Sequence, residues 1–236
     1  MSNRVSFVIP THNSAAWLPL AVRSVLEQSH KDVEAVIVDD CSKDSTSDYL
    51  AWLEEQKDPR VVIVRNPVNV GRSASRNIGN RAASGSVICV LDADDLATPN
   101  RAVVTLAKMA RTKAEYVFGA ARVIDAVGTP QGDLIPSPFV QDAARKTLSN
   151  GIVHSAVAYT KDFAMRCPYP DDRNLSDLGL DDWAHQWTAA MAGVRLEAMV
   201  DPIVCAYRVL NSGVSSTRDP EKVKAAKEAF LAVGVA

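Results

Sequence analysis

The chain has four cysteines, Cys41, Cys89, Cys167 and Cys205, and no C-x-x-C pair among them. That spacing suggests neither a zinc site nor a disulfide framework, and free thiols are expected. There is also no basic block: 26 Lys and Arg face 28 Asp and Glu, a net charge of −2. Electrostatics therefore gives no reason to expect nucleic acid or an anionic membrane as the main partner. No apolar run approaches a membrane span, and the N-terminus goes directly into a strand pattern, V5-S-F-V-I9, too short for a signal-peptide core. A cytoplasmic location is the expectation. G-x-G-x-x-G does not occur, which counts against a nicotinamide or flavin site, and G-x-x-x-x-G-K-[ST] does not occur, which counts against a P-loop NTPase. Low-complexity tracts and internal repeats are missing as well.

What is present is a chain of 236 residues, 47% hydrophobic, long enough for one sizeable α/β core. Its centre is V87-I-C-V-L-D-A-D-D-L96, an apolar run that ends in three carboxylates. Residues Val87 to Leu91 are apolar on both faces, as in a buried parallel strand. Asp92, Asp94 and Asp95 at its carboxyl end would repel one another unless a cation is shared among them, and Mg²⁺ or Mn²⁺ fits that need. A solvated loop in which Asp95 caps the next helix is the competing reading. Upstream, strands at Val5 to Ile9, Glu34 to Val38 and Val61 to Val64 alternate with helical patterns over Trp17 to Leu26, Ser47 to Gln56 and Ser73 to Ala83. Alternation of this kind predicts a mostly parallel, helix-covered sheet with right-handed crossovers.

Polar clusters follow three of these strands: Pro10 to Asn13, Asp39 with Asp40, and Asp92 to Asp94. Ligand crevices in open parallel sheets lie at those carboxyl ends. The helix opening at N69-V-G-R-S-A-S-R-N77 adds Gly71 and the phosphate-competent cations Arg72 and Arg76. Carboxylates, cation and arginines together suggest a diphosphate.

With these residues in place, the chain resembles the family 2 glycosyltransferases, which have the GT-A fold. V5-S-F-V-I-P-T-H-N13, S24-V-L-E-Q28, V38-D-D-C-S42, N69-V-G-R-S-A-S-R-N-I-G79, A83-S-G-S-V-I-C-V-L-D-A-D-D95 and L180-D-D-W183 stand in the family's order, over roughly Val5 to Ser215. The resemblance implies a GT-A domain over residues 1–215, with a nucleotide-sugar half (1–100) and an acceptor half (101–215), followed by a C-terminal helix over 216–236. It implies that Pro10, Thr11, His12, Asn13 and Asp40 hold the base and ribose of a UDP- or dTDP-type donor, with Asp39 in support. His12 stands where an aromatic ring often stacks on the base; a hydrogen-bonded structural histidine is the alternative. Asp92 and Ala93 would face the donor, and Asp94, with Asp92, would hold the Mn²⁺ or Mg²⁺. His154 and Ser155 match a position often near the donor sugar; a satisfied edge-strand histidine in G151-I-V-H-S-A-V-A-Y159 is the alternative.

Asp181 and Asp182 open a helix, where the macrodipole alone favours acids. By the resemblance Asp182 is the catalytic base, Asp181 replaces the more usual Glu, Thr188 stands where Arg is common and Leu210 where His is common. The Cys167 to Leu180 stretch reads as a mobile lid or acceptor loop. Q-x-x-R-W is missing, so a processive synthase is not expected. The implied reaction is metal-dependent, inverting transfer of one sugar to an acceptor hydroxyl on a glycan, lipid-linked saccharide, protein, small molecule or modified base. The other readings are a nucleotide-sugar-binding protein without transfer, and a sugar nucleotidyltransferase, for which the loop T11-H-N-S-A-A16 lacks the glycines and basic residues. The face of Val223, Ala226, Phe230 and Val233 on the last helix is expected to pack on the domain or on a second subunit of a homo-oligomer.

Overall fold

Strands with no polar face must be covered on both sides, and that is where the central runs lie. The computed structural model describes residues 3–136, 152–210 and 219–234 and contains one nine-stranded sheet. Its first half is parallel, in the order β3 (Val61–Arg65), β2 (Val33–Asp39), β1 (Val5–Thr11), β4 (Val87–Val90). Helices α1 (Leu18–Leu26), α2 (Thr46–Gln56) and α3 (Arg72–Ala82) make the crossovers. Beyond β4 the sheet continues through β8 (Val157–Thr160), β6 (Tyr116–Ile124), β9 (Leu196–Arg208) and β5 (Leu96–Ala97), with β7 (Pro130–Leu134) hairpinned onto β6. Here β8 is antiparallel to both neighbours, whereas β6 and β9 run parallel with register shifts at Gly119 to Ala121.

One layer of core, with Val5, Phe7, Ile9, Val22 and Ile37, lies under α1, α2 and α4 (Arg101–Thr112). The other, with Val8, Val36, Val90, Phe163 and Ala190, lies under α3, α5 (Lys161–Arg166) and α7 (Asp181–Met191). Helix α3 comes close to the sheet because residue 79 is glycine: a Cβ there would sit 2.5 Å from Val8 Cγ1 and 3.1 Å from Val38 Cγ2. A buried polar residue near the start of β2 is Glu34, which accepts from Ser6 Oγ at 2.6 Å and from both the Ser84 amide and hydroxyl at 2.6 Å. Burial alone would raise its pKa, but those hydrogen bonds outweigh it and hold it below the ordinary glutamate value.

Several details depart from expectation. The 167–180 stretch is not all loop: Tyr169 is buried and stacked on His185 at 3.9 Å, and α6 (Arg173–Asp177) is capped by Asp172. Helical-scale burial of one aromatic anchors what composition alone marks as a lid. The expected strand from Gly151 begins outside the described residues, and within them His154–Ala156 is a 3-10 turn preceding β8. The strands β7 and most of β9 carry too little apolar alternation to be read beforehand. Residues 137–151 and 211–218 and the side chain of Val233 lie outside the described residues. The last helix, α8 (Pro220–Gly234), starts at the proline after Asp219, whose carboxylate accepts from the Glu221 amide, and lays Phe230 against Trp183 and Trp187 of α7.

Candidate active site

The carboxyl ends of β1, β2 and β4 open into a cleft of about 610 Å³. Nine of the expected residues line it: Pro10, Thr11, His12, Asn13, Asp40, Arg72, Asp92, Ala93 and Asp94. Asp39, Arg76 and Asp182 do not. Asp39 is buried and accepts from the Ser42 amide at 3.1 Å, so it shapes the turn after β2.

The turn after β1 is held by side chains of the turn after β2. Asn13 takes a left-handed φ of 52°, its Oδ1 accepts from the Lys43 amide at 2.7 Å, and its own amide donates to Ser42 Oγ at 3.0 Å. His12 Nδ1 lies 2.8 Å from the Asp40 carbonyl, which can only accept, so Nδ1 carries the proton. Nε2 then accepts from Asn13 Nδ2 at 3.0 Å. Both ring nitrogens are engaged, and the ring face is what His12 offers the cleft. The two readings of this residue are therefore compatible. Asp40 is 4% exposed and accepts from Asn66 Nδ2 and from the Val70 and Gly71 amides at 2.9, 2.8 and 2.8 Å. Those bonds set the entry to α3, where Gly71 has φ 88° and Arg72 emerges onto the cleft.

The acids after β4 separate into three environments. Asp92 is half-buried, accepts from Arg76 Nη2 at 2.6 Å and gives its amide to Ser155 Oγ at 3.0 Å. Asp94 lies on the cleft wall with its pKa pushed up to about 6, first by burial and then by the charge of Asp92. Asp95 is buried and does not cap α4, whose N-terminal flank is Asn100. Its carboxylate instead accepts the Arg208 amide at 2.6 Å, a contact across 113 positions of sequence that no local pattern reveals.

Arg208, at the end of β9, was not among the expected site residues. Its Nε donates to the Asp94 carbonyl at 2.8 Å, its Nη1 to the Asp125 and Ala126 carbonyls at 2.9 Å each, and its guanidinium lies 4.5 Å from the Trp17 ring centre. Trp17, Ser75, Tyr207 and Leu210 also line the cleft. Trp17 sits at the start of the expected helical pattern to Leu26, and the nearest sequence signal to Arg208 is Leu210, where the resemblance places a common His. Thr188 spends its hydroxyl on the Ala184 carbonyl at 2.8 Å.

Asp181 and Asp182 are neighbours with different surroundings. Asp181 is 1% exposed and clamped by two arginines, Arg72 Nη2 at 2.8 Å on one oxygen and Arg76 Nη1 on the other. Arg76 is thus a buried bridge from Asp92 to Asp181, and the expected phosphate role of its guanidinium is corrected: both ends are already used. Asp182 accepts from the Trp183 amide at 2.7 Å, and its pKa is pushed up to about 6 by burial and by the charge of Asp181. His154 is buried and neutral, its pKa lowered by burial, with Nε2 2.8 Å from the Tyr169 hydroxyl; it does not line the cleft.

Around the cleft, the carboxylates of Asp92, Asp94, Asp95, Asp181 and Asp182 face the guanidiniums of Arg72, Arg76 and Arg208. With Asp40 on the cleft wall counted as well, six carboxylates stand against three guanidiniums, an excess of negative charge that a divalent cation would reduce. Among the described residues no three ligand side chains are gathered into a ready cage. A hard cation that takes one or two carboxylates and completes its shell from substrate and water is the kind these residues fit.

The family model for Glycosyl transferase family 2 matches residues 6–166. A Bacillus subtilis (strain 168) protein named as the putative teichuronic acid biosynthesis glycosyltransferase TuaG is 28% identical over 230 residues, 96% of this chain and 86% of its own length. The succinoglycan biosynthesis protein ExoO of Rhizobium meliloti (strain 1021) is 42% identical over 97 residues, 41% of this chain and 27% of its own. In fold, S. aureus TarS 1-349 in complex with UDP-GlcNAc superimposes with a TM-score of 0.74 at 17% identity, covering 96% of this chain and 65% of that one. The mannosyltransferase PcManGT from Pyrobaculum calidifontis, in complex with GDP-Man and Mn²⁺, gives 0.65 at 22% identity, covering 89% and 58%. The chain thus spans most of one relative and less than two thirds of several others.

Proposed function

The chain belongs to Glycosyl transferase family 2, and from that premise we propose that it moves one sugar from a nucleoside-diphosphate sugar to an acceptor hydroxyl, with inversion and with a divalent cation. The observation that carries the proposal is the cleft itself, where Asp40 after β2, Asp92 and Asp94 after β4 and Arg72 at the start of α3 share one cavity. TarS with UDP-GlcNAc and PcManGT with GDP-Man support a nucleotide-sugar donor. A UDP- or dTDP-type base would lie against His12 and Asp40. Asp94, with Asp92, would hold Mn²⁺ or Mg²⁺, which when bound neutralises charge on the departing diphosphate. The metal-free pKa of Asp94 near 6 marks a carboxylate short of positive charge.

Asp182 takes the proton. Its neighbour Asp181 is committed to two arginines, whereas Asp182 pairs with none among the described residues and, at about 6, is ionised at neutral pH yet basic enough to accept. The acceptor oxygen bonds to the anomeric carbon as the bond to the diphosphate oxygen breaks, and the hydroxyl proton passes to the Asp182 carboxylate. One sugar per encounter and a cytoplasmic setting are part of the proposal; no helix among the described residues is long and apolar enough to cross a membrane. Leu210 on the cleft wall, where the family often has His, favours the second reading, donor binding without transfer.

Calorimetry with UDP, dTDP, GDP, NAD and ATP, with Mn²⁺ and then with chelator, tests the assignment. UDP or dTDP should bind only with metal. GDP binding in preference would overturn the base assignment, and NAD or ATP binding equally well, or chelator having no effect, would sink the site reading.

A further inference from the structure

Resting on that reading and deepening it, we propose that Asp181 is a positioning residue that competes with the donor diphosphate for Arg72. Two arginines hold this carboxylate, and they differ in kind. The Arg76 side chain is 3% exposed and is pinned at its far side to Asp92 at 2.6 Å. The Arg72 side chain is 39% exposed and lies on the cleft wall, yet its Nη2 donates inward, to Asp181 Oδ1 at 2.8 Å and to the Ser176 carbonyl at 2.9 Å. Arg76 is a fixed partner and Arg72 an exchangeable one.

A carboxylate and a phosphate present the same pair of oxygens to a guanidinium. Asp181 therefore stands in for the diphosphate while the cleft is empty, and keeps the Arg72 charge compensated at a position facing water. When a diphosphate arrives, Arg72 is shared or handed over, and Arg76 remains to keep Asp181 from being stranded as a lone buried charge. The same exchange loosens the Arg72 bond to Ser176, while α6 stays attached through Arg173 to Asn69 at 2.9 Å and through the Arg72 amide to Ser176 Oγ at 3.2 Å. Occupancy of the cleft is thus reported to the residues that open α7. An acid in this place weakens donor binding, which a residue present only for helix capping would not do.

The test is UDP affinity in the presence of Mg²⁺ for the wild type, Asp181→Asn, Arg72→Gln and the double variant. Asp181→Asn should bind UDP about 10-fold more tightly, the order set by one charge-assisted hydrogen bond. Arg72→Gln should bind more weakly, and Asp181→Asn should then have no effect in the Arg72→Gln background. Unchanged or weaker binding by Asp181→Asn while Arg72→Gln weakens it overturns the proposal alone, as does equal tightening in both backgrounds. Binding by none of the four proteins overturns the nucleotide-site reading together with the proposal. If Asp181→Asn does not fold, the wild type decides by ¹⁵N side-chain NMR: UDP should shift the Arg72 Nε–H signal and leave that of Arg76 in place, and an unmoved Arg72 signal refutes the exchange.

Discussion

Neutralising Asp94 should make the metal-free protein more stable. The folded pKa of this carboxyl stands at about 6 against an ordinary value of 3.8, a difference of roughly 3 kcal/mol between its two protonation states. Asp94 keeps some contact with water, so about 2 kcal/mol is the figure to expect. The sign follows from proton counting. Between pH 3.8 and about 6 the native protein holds a proton that the unfolded chain has released, so stability falls as pH rises through this window and stays lower above it. Asn at position 94 cannot ionise and escapes the fall. In chelator at pH 7.5, Asp94→Asn should melt about 4–8 °C above the wild type, given roughly 2–4 °C per kcal/mol for a chain of this size. The gap should close toward pH 4. Adding Mn²⁺ with UDP should raise the melting temperature of the wild type and leave that of the variant where it was. A variant less stable than the wild type in chelator at pH 7.5, or a gap independent of pH, would refute the reasoning and make Asp94 a structural residue.

Other outcomes follow from the same geometry. Asp182→Asn should lower kcat by about 10²- to 10⁴-fold while UDP affinity stays within a few-fold, since an amide cannot take the proton; transfer at the wild-type rate would remove the base from the mechanism. In the wild type, kcat should rise with pH through about 6 and then level, because Asp182 must be ionised to accept; a rate that falls across that range points to an acid instead. Glu34→Gln should cost about 2 kcal/mol in urea unfolding at pH 7, because the amide lacks the charge that strengthens the bonds from Ser6 and Ser84. The wild-type contribution of Glu34 is present above its ordinary pKa of 4.5 and is lost as pH falls through the lower folded value, so the difference should shrink in acid. Gly79→Ala should cost about 1–3 kcal/mol by overpacking against Val8 and Val38, measurable by the same unfolding experiment.

The first half of the fold was legible because its strands are short, mostly apolar runs and its helices have clear spacing. Polar loops after β1, β2 and β4 then mark the cleft in the sequence itself. The second half was not, for physical reasons that differ by residue. Strand β9 carries Asp201 and Pro202 and pairs with β6 through register shifts, so it lacks a period. Asp95 looks like a cap because caps are local, whereas its partner is the amide of Arg208. Arg76 shares a helix with Arg72 and lies four positions after it, but only contact with Asp92 and Asp181 tells the buried bridge from the cleft cation.

Asp40 has a further meaning as a knot. One carboxylate from the end of β2 fastens the 66–71 loop at Asn66, Val70 and Gly71, and the carbonyl of the same residue orients His12 in the loop after β1. The half of the cleft around His12 and Asp40 is therefore assembled by the fold and not by its ligand. Little backbone has to be frozen when a nucleotide docks there, so that part of the association should carry a small ordering entropy and proceed as rigid docking. The slow, adaptable part of binding is then left to the exposed Arg72 side chain just beyond that loop, the group proposed to exchange partners.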